Sequence, residues 1–106
     1  MSQVILLTTF STKEEAQTFA HALIDRRLAA CIQIVGPIVS VFRWEDNIDT
    51  AEEYRCEVKT TSALATKIEN ALADLHPYDV PELVTVPIEH MSAAYENWFT
   101  TQVKDE

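Results

Sequence analysis

The segment His76-Pro77-Tyr78-Asp79-Val80-Pro81-Glu82 sets an imidazole, a phenol and two carboxylates between and beside two prolines. Pro77 disfavours helical geometry at the residue before it, so a helix arriving from the N-terminal side ends by His76. Groups able to hydrogen-bond or to ligate a metal therefore occupy a corner with little backbone freedom. Imidazole suits copper and zinc, and carboxylates add hard oxygen ligands and negative potential. Two readings stay open on these residues. One is a metal site with His76 as its ligand, completed from another strand or subunit because no second His or Cys is near in sequence. The other is a helix-to-strand connector held by structural hydrogen bonds.

Other candidates are fewer. Glu45, Asp46, Asp49, Glu52 and Glu53 gather where a hairpin tip is expected, with a spacing that fits no EF-hand loop and reads as a solvated turn. Lys59 sits on a strand and shares its side with Arg55 and Glu57, so it is either paired or available to a ligand. His21 falls off the apolar face of a helix and His90 follows the last strand, and neither is assigned a role. No Ser/His/Asp or Cys/His relation stands at recognisable spacing, so the chain is not expected to be an enzyme.

Composition narrows the field further. A chain of 106 residues allows one domain, residues 1–106, around one core. A net charge of -9 argues against a nucleic-acid partner and against an anionic membrane surface, both of which call for a basic face. The single glycine, Gly36, excludes phosphate-binding loops, dinucleotide fingerprints and nucleophile elbows, which need at least two. Cys31 and Cys56 are too few and too distant for a zinc ribbon and are expected to be reduced. Val4-Ile5-Leu6-Leu7 is too short to span a bilayer and lacks a basic flank, so a cytoplasmic location is expected.

The elements that position these residues follow from periodicity. Gln3 to Phe10 is a continuous apolar run, as expected of a central strand. Ser11 or Thr12 can cap a helix whose apolar face is Ala16, Phe19, Ala20, Leu23, Ile24 and Leu28. Cys31 to Val35 resumes a strand, bent or bulged at Gly36-Pro37, and Ile38 to Glu45 continues it with period two. Asp46-Asn47 is the expected turn, and the return strand is expected from Glu53 to Thr61. Thr61 or Ser62 caps a second helix with Leu64, Ile68, Ala71, Leu72 and Leu75 on one face, running into His76. A strand from Glu82 to Glu89 follows, with Pro87 marking an edge, then a short helix capped by Ser92 that carries Tyr95, Trp98, Phe99 and Val103; Lys104-Asp105-Glu106 is expected to fray. The order βαββαβ plus one helix is most economically an α+β, ferredoxin-like antiparallel sheet with two helices on one face and a long β-hairpin.

That hairpin leads us to expect an oligomer, the alternative being a single chain in which Gly36-Pro37 folds the hairpin back across the sheet. If residues 31–45 are nearly all strand they extend roughly 50 Å at about 3.3 Å per residue, against a radius of gyration near 13 Å for a domain of this length. The overhang carries apolar groups on both faces, and association with other subunits covers them.

Taken together, Leu28-Ala29-Ala30-Cys31, Ser40-Val41-Phe42-Arg43-Trp44-Glu45, Val58-Lys59-Thr60-Thr61 and the His76 to Glu82 segment resemble the CutA family of divalent-cation tolerance proteins. The resemblance covers nearly the whole chain. It implies a tight homotrimer with hairpins wrapping neighbouring subunits, and a role in tolerance of copper and other divalent cations. Asp46-Asn47 replaces the usual glycine and lysine of the hairpin tip. Thr8 and Leu75 stand where some members carry a cysteine and a second histidine, leaving His76 as the metal ligand and copper or another divalent cation bound weakly. The alternative is a regulator or sensor similar in architecture to the PII-type trimers, binding a small ligand in an inter-subunit cleft near Lys59, Tyr78, Glu82 and Trp44.

Overall fold

The computed structural model describes residues 2–104. The first strand, β1 (Gln3–Phe10), alternates Val4, Leu6, Thr8 and Phe10 toward the core, and Thr12 ends its exit loop by accepting a hydrogen bond from the Glu15 amide, which starts α1 (Lys13–Asp25). Ala16, Phe19, Ala20 and Leu23 form the buried face of α1. Ile24, expected on that face, is 44% exposed, and Leu28 lies past the helix end, because Arg27 adopts a left-handed backbone (φ 60°) and turns the chain.

The long strand β2 (Cys31–Trp44) runs through Gly36-Pro37 with a bulge between Val35 and Ile38, and β3 (Asn47–Thr61) pairs with it antiparallel along its whole length. The turn is Glu45-Asp46, both at positive φ (49° and 67°), one residue earlier than expected, and β3 begins at Asn47 rather than at Glu53. Both central residues of this two-residue loop need positive φ, so Asn47 is released to the strand and donates its side-chain amide to the Glu45 carbonyl. Thr61 caps α2 (Ser62–Leu75) through the Leu64 amide, and Leu64, Ala65, Ile68 and Leu72 face inward. The fourth strand, β4 (Val84–Pro87), is four residues long, shorter than the expected 82–89, and pairs only with β1 as a sheet edge. Ser92 caps α3 (Ala93–Gln102), of which Phe99 is fully buried. Fraying expected at Asp105 and Glu106 lies outside the described residues.

The four strands run antiparallel in the order β2-β3-β1-β4, and α1 and α2 cover one face. Phe10, Phe19, Leu6, Leu23, Val58, Cys56 and Ile68 lock that layer. Beyond the Phe10–Tyr54 pair no third strand among the described residues reaches the hairpin, so residues 38–53 project as a two-stranded ribbon and the molecule measures 46 × 26 × 21 Å. Val39, Val41 and Ile48 on this ribbon are 73%, 67% and 71% exposed.

The ribbon's root is tight. A Cβ placed on Gly36 would lie 2.5 Å from Tyr54 Cδ2 and 3.0 Å from the Glu53 carbonyl oxygen. Gly36→Ala is therefore expected to lower stability by about 1–3 kcal/mol through overpacking; an unchanged urea midpoint would show that the bulge relaxes around a methyl group.

Candidate functional site

The end of α2 delivers His76 into the protein rather than to its surface: the residue is 6% exposed and its ring stacks on Phe10 at 4.2 Å and 16°. Its extended backbone (φ -107°, ψ 135°) is what Pro77 demands. The Tyr78 amide donates to Nδ1 (3.2 Å), so the proton of the neutral ring is on Nε2, which donates to the Thr9 carbonyl at 2.7 Å. Burial pulls the pKa of His76 below its ordinary value, opposed by the Thr9 hydrogen bond and by the Glu15 and Glu53 carboxylates.

Those two bonds fix Tyr78, whose ring meets the edge of His76 at 4.7 Å. Its hydroxyl donates to Glu53 Oε2 (2.9 Å) and, having one proton, accepts from Ser11 Oγ (2.8 Å). Burial raises the Tyr78 pKa; the Ser11 hydrogen bond acts against this, and Glu53 and Glu15 act with it. Glu53 is 8% exposed although it belongs to the acidic set read as a solvated turn. Nothing in its residue type signalled this; the bulge opposite, between Val35 and Ile38, places it at the root of the ribbon under Tyr78.

Tyr78 and Glu53 line a groove of about 650 Å³ whose other walls are Ser40, Phe42 and Trp44 of β2 and Asp79, Val80 and Glu82 of the corner. Three of the four expected cleft residues, Trp44, Tyr78 and Glu82, are thus brought together within one chain. Lys59 is not with them. It lies roughly 20 Å along β3 from Glu53 at the usual strand rise, and its ammonium sits 5.8 Å from the centre of the Tyr95 ring on α3. A second groove of about 590 Å³ on the other side of the corner runs along α2 between Glu69, Pro77 and Pro81. Cys31 and Cys56 are both free, and burial pushes the Cys56 thiol up to about 12.

The donor set does not fit a metal centred on His76. Nδ1 has given its lone pair to the Tyr78 amide and Nε2 carries the proton bonded to Thr9, so neither nitrogen ligates a metal without opening the corner. Among the described residues no group of three or more His, Cys, Asp or Glu side chains is placed to hold an ion. Expecting His76 as a ligand came from its residue type; its orientation was invisible because the acceptor, Thr9, is 67 residues away.

This architecture, an antiparallel four-stranded sheet backed by two helices with an acidic, aromatic groove at the root of an overhanging hairpin, defines a ferredoxin-like α+β protein. Residues 4–102 match the model of the CutA1 divalent ion tolerance protein family, and the chain belongs to that family. It is 40% identical over 98 residues to the divalent-cation tolerance protein CutA of Thermus thermophilus, covering 92% of this chain and 94% of that one. The structure of CutA1 from Oryza sativa superposes with a TM-score of 0.95 at 29% identity, covering 100% of this chain and 97% of that one. A structure described as the periplasmic divalent cation tolerance protein CutA of Archaeoglobus fulgidus gives 0.91 at 31% identity, covering 96% and 99%.

Holding a neutral His76 links stability to pH. The unfolded ring takes up a proton near 6.5 and the folded one only at lower pH, so the contribution is complete above that value and is lost as pH falls through the lowered folded pKa. His76→Ala is expected to cost about 2–4 kcal/mol at pH 7.5 from lost packing and hydrogen bonds, and to lose less further stability than the parent between pH 7.5 and 5.5. Urea denaturation at both pH values measures this, and parallel losses would assign the titration to another group.

Proposed function

We propose that the chain serves divalent-cation tolerance as a cytoplasmic homotrimer, a binding protein and not an enzyme, which holds copper or another divalent cation weakly through the carboxylates of its groove. The observation that carries this reading is the lining itself: among the described residues it holds Glu53, Asp79 and Glu82 and no basic side chain. One chain supplies no complete cage, so the remaining ligands come from water or from a neighbouring subunit, and oxygen donors alone make a weak copper site. The family to which the chain belongs supports the tolerance role.

Assembly is supported by the unpartnered ribbon and by the apolar surface it displays, to which Val84 and Val86 add a patch on the edge strand β4. Two free cysteines accord with a reducing compartment, and no helix among the described residues is long and apolar enough to cross a membrane. A second reading, a regulator that binds a small ligand, is favoured by one observation: Trp44, Phe42 and Tyr78 give the groove aromatic walls, and its volume lies within the range of small-molecule sites.

Sedimentation velocity at micromolar concentration is expected to show a trimer, and equilibrium dialysis a weak, chelator-reversible uptake of Cu(II). Glu82→Gln is expected to weaken that uptake roughly threefold to fivefold, the effect of one partly exposed charge. A monomer, or uptake indifferent to this substitution, would overturn the proposal.

A further inference from the structure

We propose that the groove at the root of the hairpin takes an organic ammonium compound, a small amine or quaternary ammonium. The inference rests on the small-ligand reading and gives that ligand its chemical class. Three features of the lining select it. The first is charge: Glu53, Asp79 and Glu82, with no lysine, arginine or histidine among the described lining residues, repel anions and leave a neutral ligand facing carboxylates that no cation neutralises there. The second is the aromatic content. Phe42 and Trp44 project from the same side of β2 and Tyr78 closes the opposite wall, and aromatic faces attract a weakly hydrated cation that can shed its water.

The third feature is the number of acceptors. A divalent ion takes the rest of its ligands here from water or a neighbouring subunit, because the described side chains of one chain converge on no complete cage. An ammonium ion needs only one or two acceptors and fills the remaining space with its own carbon. Glu53 supplies the acceptor: it is 8% exposed, oriented through Oε2 by the Tyr78 hydroxyl, and forms part of the groove wall. A groove of about 650 Å³ exceeds the needs of a bare ion and suits an amine of several carbons. His76 acts here as a positioning residue, since its bond to the Tyr78 amide sets the phenol that holds Glu53.

The test uses the intact, assembled protein with tetramethylammonium and 1,4-diaminobutane as probes, against their uncharged counterparts tert-butanol and 1,4-butanediol. Binding is followed by NMR at the Trp44 indole N–H, with Trp98 as the internal control. Saturable shifts of Trp44 are expected with the ammonium probes and not with the alcohols. Affinity is expected to fall at least about tenfold in Glu53→Gln, and measurably in Glu82→Gln, an exposed position where the substitution leaves the fold intact. If the alcohols shift Trp44 equally, the groove binds small ligands but the ammonium class is wrong. If no probe shifts it, the small-ligand reading itself falls. Cu(II) uptake that persists in that case leaves the divalent-cation reading standing.

Discussion

Two hydrogen bonds to one imidazole organise the business end of this molecule. His76 joins the last turn of α2 to the end of β1 through the Thr9 carbonyl, and joins both to the following loop through the Tyr78 amide. Because a neutral imidazole has one donor and one acceptor, the two partners fix both the tautomer and the ring orientation. From there the order propagates by contact: Phe10 stacks under the ring, Tyr78 stands against its edge, and the phenol reaches across to Ser11 at the entry to α1 and to Glu53 on β3. Four elements meet at this corner without a metal ion being required to gather them.

The other determinant is the ribbon. β1 stops pairing with β3 at Tyr54, and the bulge at Gly36-Pro37 falls just where the third strand runs out. Past that point the hairpin has side chains on two faces and a helical layer behind neither. It supplies Ser40, Val41, Phe42 and Trp44 to the groove, while Val39 is not among the groove's lining. The groove is thus built from a rigid corner on one wall and a projecting ribbon on the other, so its width depends on whatever holds the ribbon in place.

Much of this was legible in the sequence. Strand and helix order, the cap at Ser92, the edge marked by Pro87 and the end of α2 at His76 all rest on local signals that no distant contact overrode, while the structure chose Thr12 over Ser11 and Thr61 over Ser62 as the other two caps. The hairpin tip was displaced by one residue because local propensity favours Asp46-Asn47, both tolerant of positive φ, whereas the cross-strand register that pairs Trp44 with Asn47 puts Glu45-Asp46 in the turn. The site was legible as a list of residues rather than as an arrangement. Lys59 and Tyr78 look equally available to a cleft until the sheet separates them, and Glu53 looks like its solvated neighbours Glu52 and Asp49 until Tyr78 closes over it. Such facts depend on partners far away in sequence, which periodicity does not encode.

One consequence follows from where β1 lies. The strand nearest the N-terminus occupies the middle of the sheet, with β3 on one side and β4 on the other. During synthesis it waits for both neighbours: β2 and β3 zip together as a local hairpin, but β1 has no strand to pair with until residues 54–61 are made, and its other edge stays open until residues 84–87 emerge. Additions ahead of Gln3 leave the sheet whole, whereas removing residues 3–10 would part β4 from β3 and divide the sheet in two.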